Sequence, residues 1–237
     1  MIIAVRSIVT YVAILAYIAV AGPLALVVGG LLRWKEGLYA LGHGGVWLAL
    51  TLAGIRYHVT GREHLPNTAL VFCSNHESNV DPAVLFEALH RRLHVLYKAE
   101  LHKFPLMGRI FDIGGFVPVD RGDRDKAMAS IARGARSLQD GNSFLIFPEG
   151  TRSRTGELLP FKKGGFIMAI QAQAPIVPVA VRGSRDAMRK GSAFVRPVTV
   201  SVRIGNPVPT AGLTLADRDS LIARVRGEVQ ALLDSIN

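Results

Sequence analysis

Apolar and polar positions divide the chain into an uncharged beginning and an alternating remainder. Residues 7–32 carry no charged side chain, and a helix of that length reaches ~39 Å against a hydrocarbon core of ~30 Å. Gly22-Pro23 lies inside the run. Proline lacks a backbone donor and clashes with the preceding turn, so an interruption is predicted there. The piece before it is only about 22 Å long, short for a full span. A second uncharged run, residues 37–55, follows the linker Arg33-Trp34-Lys35 and holds His43 among Gly42, Gly44 and Gly45. Two apolar helices follow from this, either a hairpin embedded in or re-entering one leaflet or two tilted spans. A cleaved signal peptide is a third reading, since Ala19-Val20-Ala21 has the small-residue pattern of a cleavage site. It leaves the second run unexplained, and the basic region after Arg56 resembles a cytoplasmic flank. Either hairpin reading keeps the remainder on the side of the N-terminus. The expected division is a membrane-anchoring hairpin, 1–55, and a catalytic domain, 56–237.

From residue 56 the pattern alternates between strand and helix. Strands are predicted at 56–60, 69–74, 94–97, 115–119, 143–147, 176–181 and 198–204; the run ALVFCS at 69–74 suits a strand buried on both faces. Helices are predicted at 82–89, with Asp81 as N-cap and Pro82 in the first position, at 125–139, at 166–173, ending before Pro175, and at 215–236. The last begins with a capping-box pair, Thr214 and Asp217, and carries Leu221, Val225, Val229, Leu232 and Ile236 as its apolar stripe. Such alternation predicts an α/β fold, a mostly parallel sheet flanked by helices. In such sheets ligands bind at the carboxyl ends of strands.

Composition sharpens the membrane reading. Of 237 residues 19% are charged and 49% hydrophobic, against about 25% charged in soluble domains. The net charge of +10 implies an anionic partner, a lipid surface or nucleic acid. The apolar N-terminus favours lipid, and no run interleaves aromatic with basic residues as single-strand binding requires. The single cysteine, Cys73, rules out an intrachain disulfide and reads as a small buried hydrophobe.

Two polar blocks directly follow apolar strands. The first is Asn75-His76-Glu77-Ser78-Asn79-Val80-Asp81. A hydroxyl is a poor nucleophile at neutral pH and needs a base, for which histidine is the usual choice. A carboxylate then fixes its tautomer. A five-residue separation puts His76 and Asp81 on different faces of a straight helix, so their pairing requires a bend, which the 79–82 turn signal supplies. The bland alternative makes Asp81 a helix cap and His76 a loop residue. The second block is Phe147-Pro148-Glu149-Gly150-Thr151-Arg152-Ser153. Arg152 offers a planar fork of donors that matches a phosphate, and Gly150 permits a left-handed turn. Its alternative is a surface turn with a solvated arginine.

Taken in order, the His-x4-Asp block, the Phe-Pro-Glu-Gly-Thr-Arg-Ser block and Val177-Pro178-Val179, with Lys98-Ala99-Glu100-Leu101 and Gly115-Phe116-Val117-Pro118-Val119-Asp120-Arg121 between the first two, carry a family likeness over roughly 56–205. The chain resembles the glycerolipid acyltransferases, most closely the bacterial 1-acyl-sn-glycerol-3-phosphate (lysophosphatidic acid) acyltransferases. The resemblance implies His76 as general base and Asp81 as its orienting carboxylate. It implies acceptor binding by Glu149, Gly150, Thr151 and Arg152, with Lys98 and Arg121 as further phosphate ligands. The implied donor is an acyl-CoA or acyl-carrier protein thioester, the acceptor is lysophosphatidic acid, and the location is the cytoplasmic face of the inner membrane. No cofactor, metal or nucleic acid is implied.

Other features read as structural. Glu87, His90 and His94 could hold a metal only if one helical face continued through them, and residues 93–97 look like a strand. Arg182, Arg185, Arg189 and Lys190 form a basic cluster whose default is a solvated face, with lipid or donor phosphate as the alternative. An esterase would need a nucleophile elbow, and no Gly-x-Ser-x-Gly occurs. A non-catalytic membrane-binding module would leave His76 and Asp81 beside an arginine loop unexplained.

Overall fold

The structure, a computed structural model, describes residues 1–89, 92–120 and 122–236. Helix α1 (Ile2–Ala25) runs through Pro23 and continues as π-helical turns over Leu26–Leu31. The predicted interruption at Gly22-Pro23 therefore does not occur. The register instead widens past the proline, where the N–H of Leu32 donates to the Val27 carbonyl at 2.9 Å. Keeping the backbone paired in this way costs less than opening it among apolar surroundings. Ile2–Leu31 has a mean hydropathy of 2.4 and is the one helix among the described residues long and apolar enough to cross a membrane. Helix α2 (Lys35–Ala53) packs back along it. The Tyr17 hydroxyl donates to the Leu41 carbonyl at 2.7 Å, and a Cβ at Gly44 or Gly45 would come within 2.8 Å of the Tyr17 ring or its hydroxyl. These glycines are what let the two helices approach.

Strand β1 (Ile55–Thr60) follows α2 through Gly54, which sits at φ +71. The seven strands are β1, β2 (Val71–Ser74), β3 (Leu93–Lys98), β4 (Val117–Val119), β5 (Ser143–Ile146), β6 (Ile176–Arg182) and β7 (Val198–Ile204). Their order is β1-β7-β6-β2-β5-β3-β4, with every neighbour parallel but β6 and β7. The crossovers are α3 (Asp81–Leu89), α4 (Pro105–Ile113), α5 (Arg124–Gln139) and α6 (Gly164–Ala172); the short α7 (Ser184–Ala187) lies between the antiparallel β6 and β7, and α8 (Arg218–Asp234) follows β7. The mostly parallel α/β expectation holds. Helix α4 was not foreseen: nine residues with Gly108 inside give little period to read.

Central strands β2 and β5 are buried at every position, as strands covered on both faces must be. Val71 and Cys73 pack with Ile131, Leu138, Phe166 and Val225 of α5, α6 and α8. Leu70 and Phe72 pack on the other face with Val84, Leu85 and Ala88 of α3 and with Leu50 and Ala53 of α2. The second apolar helix thus contributes side chains to the core. In α8 the buried positions are Leu221, Val225, Val229 and Leu233, one step away from the expected Leu232. The expected capping box at Thr214 and Asp217 is formed.

Candidate active site

The site lies where β2 and β5 end, at the carboxyl edge of the sheet. Where β2 stops, the Asn75 amide continues its pairing with β6: Asn75 Nδ2 donates to the Val181 carbonyl at 2.8 Å, and the Val181 N–H donates back to Oδ1 at 2.7 Å. This satisfies backbone groups that would otherwise be orphaned by the departing strand. The chain then turns through His76, Glu77 and Ser78 and enters α3 at Asp81.

His76 and Asp81 meet. Nδ1 of His76 stands 2.8 Å from Oδ2 of Asp81, and the N–H groups of Glu77 and Ser78 donate to that same oxygen at 2.7 and 2.8 Å. The carboxylate therefore faces back over the loop. That corrects its expected role as N-cap of the following helix: Oδ2 takes its partners from residues before the helix, and Oδ1 has none among the described residues. Asp81 is fully buried, whereas the His76 side chain keeps 17% of its surface exposed. A carboxylate only accepts, so Nδ1 carries the hydrogen and Nε2 is left as a base. Phe147 stacks on the imidazole, with centroids 4.2 Å apart, and fixes its plane.

The second block is stitched to the first. Glu149 is buried; its Oε1 accepts from the His76 N–H at 2.7 Å and its Oε2 from the Leu159 N–H at 3.1 Å. Both oxygens are thus engaged within the protein, and burial raises its pKa against the pull of those two donors. The Ser153 N–H donates to the His76 carbonyl at 2.8 Å, which sets Arg152 one residue from the base-bearing loop. Among the described residues, the Arg152 side chain holds no hydrogen bond or ion pair. Gly150 adopts φ +68, and a Cβ there would lie 2.7 Å from the Lys162 ammonium. A side chain at 150 would displace both the turn and that lysine. Thr151 Oγ1 accepts from Lys190 Nζ at 3.0 Å.

Lys98 ends β3 at the same edge of the sheet, but two strands from β2, about 10 Å away at normal strand spacing. It is exposed and pairs with Glu100 at 2.9 Å. Arg121, the other outlying phosphate candidate, lies outside the described residues, as does His90. The remaining members of the metal reading do not converge: His94 Nδ1 stands 3.1 Å from Ser137 Oγ, and Glu87 stands 2.7 Å from His43. Burial, with Lys35 adding to it, lowers the His94 pKa to about 4. Cys73 is buried as expected, its thiol pushed well up by burial and then by Glu149. Ser78 donates to the Met188 carbonyl at 2.9 Å, so its hydroxyl is not directed at a base.

Sequence reasoning missed two things. Glu77, unremarked within the first block, is buried beside Asp81. Desolvation first and that carboxylate second push its pKa up to about 7, against Arg182 and Arg185. Helix α7 and the residues after it read as a basic surface in the sequence, yet they tie the loops together. Lys190 also donates to the Arg152 carbonyl at 3.2 Å, Arg185 donates to the Thr155 carbonyl at 3.0 Å, and Met188 receives Ser78. No local signal distinguishes a lysine bound to a distant carbonyl from a solvated one.

This arrangement places the paired His76 and Asp81 and the Arg152 guanidinium, which has no partner among the described residues, at the edge where ligands bind α/β sheets. The sequence model of the Acyltransferase family matches residues 56–182. A 1-acyl-sn-glycerol-3-phosphate acyltransferase of Limnanthes douglasii is 34% identical over 220 residues, covering 90% of this chain and 76% of the plant protein. The human alpha form of that enzyme is 35% identical over 190 residues, covering 78% of this chain and 66% of its own. The chain belongs to the acyltransferase family. Its fold matches the crystal structure of the 1-acyl-sn-glycerophosphate (LPA) acyltransferase PlsC of Thermotoga maritima, with a TM-score of 0.82, 22% identity, and coverage of 99% of this chain and 97% of that one.

Proposed function

We propose that the protein transfers a fatty acyl chain from a thioester, acyl-CoA or acyl-carrier protein, to the sn-2 hydroxyl of 1-acylglycerol-3-phosphate, giving phosphatidic acid. The observation that carries this reading is the His76–Asp81 pair, held at 2.8 Å with Nε2 of His76 directed away from it. Nε2 takes the hydroxyl proton as the acceptor oxygen attacks the thioester carbonyl. The tetrahedral intermediate collapses, the carbon–sulfur bond breaks, and the imidazolium returns the proton to the departing thiolate. Asp81 stabilises the imidazolium through Nδ1. No acyl-enzyme is required.

Arg152 binds the acceptor phosphate in this scheme, with Gly150 and Thr151 shaping its loop. Lys98 and Arg121 supply outlying positive charge to the same group. Glu149 supports the acceptor site by holding the two loops in register, as its bonds to His76 and Leu159 suggest. Residues 1–55 carry the membrane anchor, the end of the second helix also packing into the core, and set the catalytic edge at the cytoplasmic face, where the acceptor lies. The test is thiol release from acyl donor in detergent, with and without lysophosphatidic acid. Release that depends on lysophosphatidic acid supports the reading. Equal release with another lysolipid redirects the acceptor assignment. Vesicle binding without any release would leave a lipid-binding module.

A further inference from the structure

Beyond the hairpin, the structure carries a second apolar surface that the core does not use. The segment between β3 and β4 forms a 3-10 turn (Ala99–Lys103) and then α4. One side of α4 is held inward: Phe111 lies 4.7 Å from Tyr97 and 5.2 Å from Phe116, centroid to centroid. A second side meets the C-terminal half of the first helix. A Cβ at Gly22 would stand 3.1 Å from Leu106, and one at Gly29 would stand 2.8 Å from Ile113. The turn and the start of α4 are open, with Leu101 in the turn 41%, Phe104 just before the helix 61% and Met107 in its first turn 39% exposed. Lys103 and Arg109 flank these side chains and hold no ion pair among the described residues.

We propose that Leu101, Phe104 and Met107 form an interfacial ridge that inserts at the headgroup boundary of an anionic bilayer, with Lys103 and Arg109 on the lipid phosphates. The occupant is a membrane because the ridge is continuous with one. The first helix exposes Leu24, Val27 and Leu31 along the stretch that α4 packs against, so the ridge and the apolar helix present one surface. The two cations suit anionic headgroups. The consequence is orientation. Helix α4 follows the carboxyl end of β3, at the edge that holds His76 and Arg152, so insertion brings that edge down to the depth of a lipid acceptor's headgroup. This rests on the reading of the acceptor as a lipid.

The full chain tests it. Cys73 is fully buried, so Phe104→Cys can be labelled selectively with an environment-sensitive fluorophore. In vesicles containing anionic lipid, lipids brominated near the glycerol should quench the probe strongly, whereas a probe at exposed Asp140→Cys, before β5 at the opposite edge of the sheet, should not be quenched. Equal quenching at the two positions would overturn the proposal. So would shielding of the 104 probe in detergent that grows with protein concentration, which would mean a second copy. Separately, Phe104→Asp with Met107→Asp should cut turnover of vesicle-borne acceptor about tenfold and leave short-chain soluble acceptor within about twofold. Equal loss on both substrates would place the ridge in catalysis and not at the membrane. Quenching needs no turnover, so it reads the membrane claim even if the acceptor assignment fails.

Discussion

Two histidine–carboxylate pairs in this molecule share a local geometry. His76 stands 2.8 Å from Asp81 with its ring 4.2 Å from Phe147, and His43 stands 2.7 Å from Glu87 with its ring 4.2 Å from Phe86. Their settings differ. Asp81 is reached from a bent loop at a strand end, receives two backbone N–H groups as well as the imidazole, and neighbours an arginine with no partner of its own among the described residues. Glu87 faces His43 across a helix–helix contact between α3 and α2, away from the carboxyl edge. A His–acid contact with an aromatic stack is therefore not a catalytic device in itself. What distinguishes the first pair is that the carboxylate is fixed by the backbone and the ring's far nitrogen is left at a ligand-binding edge.

The largest effect separating the pairs should come from His76→Ala. Loss of a positioned general base costs on the order of 10²- to 10⁴-fold in rate. The variant should still melt cooperatively in detergent, because the imidazole is at the site's surface. Near-normal kcat would remove His76 from the mechanism. Asp81→Asn should come next. It keeps the shape, but the amide can turn a donor toward Nδ1 and favour the wrong tautomer. Because Asp81 also gathers two loop N–H groups, its melting temperature must be read beside its rate. An inactive variant that also melts far lower would show that the loop, and not the proton relay, was lost.

Arg152→Lys should do less. Lysine keeps the charge and loses the bidentate fork, so the acceptor KM should rise by about tenfold, with donor KM little changed. A rise in donor KM alone would assign Arg152 to the thioester's phosphates. The contrast with position 43 is sharpened too, since nothing at the α2–α3 contact should respond to the acceptor's phosphate.

Much of this contrast was legible in the sequence, for unequal reasons. ALVFCS is apolar at nearly every position, so β2 and a polar loop at its end follow from pattern, whereas the choice of His76 and Asp81 within that loop rests on the family likeness. The closing capping box likewise depends on residues three apart. What failed depended on long-range context. Proline at 23 reads as a breaker, yet the chain keeps a helix by widening its register. Asp81 before Pro82 reads as a cap, yet two upstream N–H groups claim it. The depth of Glu77 comes from packing beside a second carboxylate that a linear reading does not weigh.

Glu77 offers a smaller, pH-dependent effect. Its folded pKa, pushed up to about 7 by burial and Asp81 from an ordinary 4.5, means the folded chain holds this proton more tightly than the unfolded chain. The penalty for its charge is absent below about 4.5, grows as pH rises, and is complete above about 7. Glu77→Gln removes it. The stability of the variant relative to the parent should therefore improve across that window, by on the order of 2 kcal/mol after partial solvent screening. Thermal unfolding at several pH values checks the sign. A difference independent of pH would mean that Glu77 ionises in the fold as it does in water, with Arg182 and Arg185 offsetting its burial.

The smallest effect on turnover should come from the other histidine. His43→Ala leaves the Glu87 carboxylate, only 10% exposed at its side chain, without its close imidazole, and such a loss typically costs about 1–3 kcal/mol. It also removes a ring from the stack on Phe86. His43→Gln should recover part of the stability, because an amide can still donate to Glu87. Neither variant should change kcat by more than about threefold, since no proton of the reaction passes through α2. Turnover in detergent and thermal unfolding, measured on both variants, separate the two roles. Folded His43→Ala protein with a rate loss as large as that of His76→Ala would break the comparison. It would mean that the α2–α3 contact is part of the catalytic machinery and that position at the strand edge is not what makes such a pair chemical.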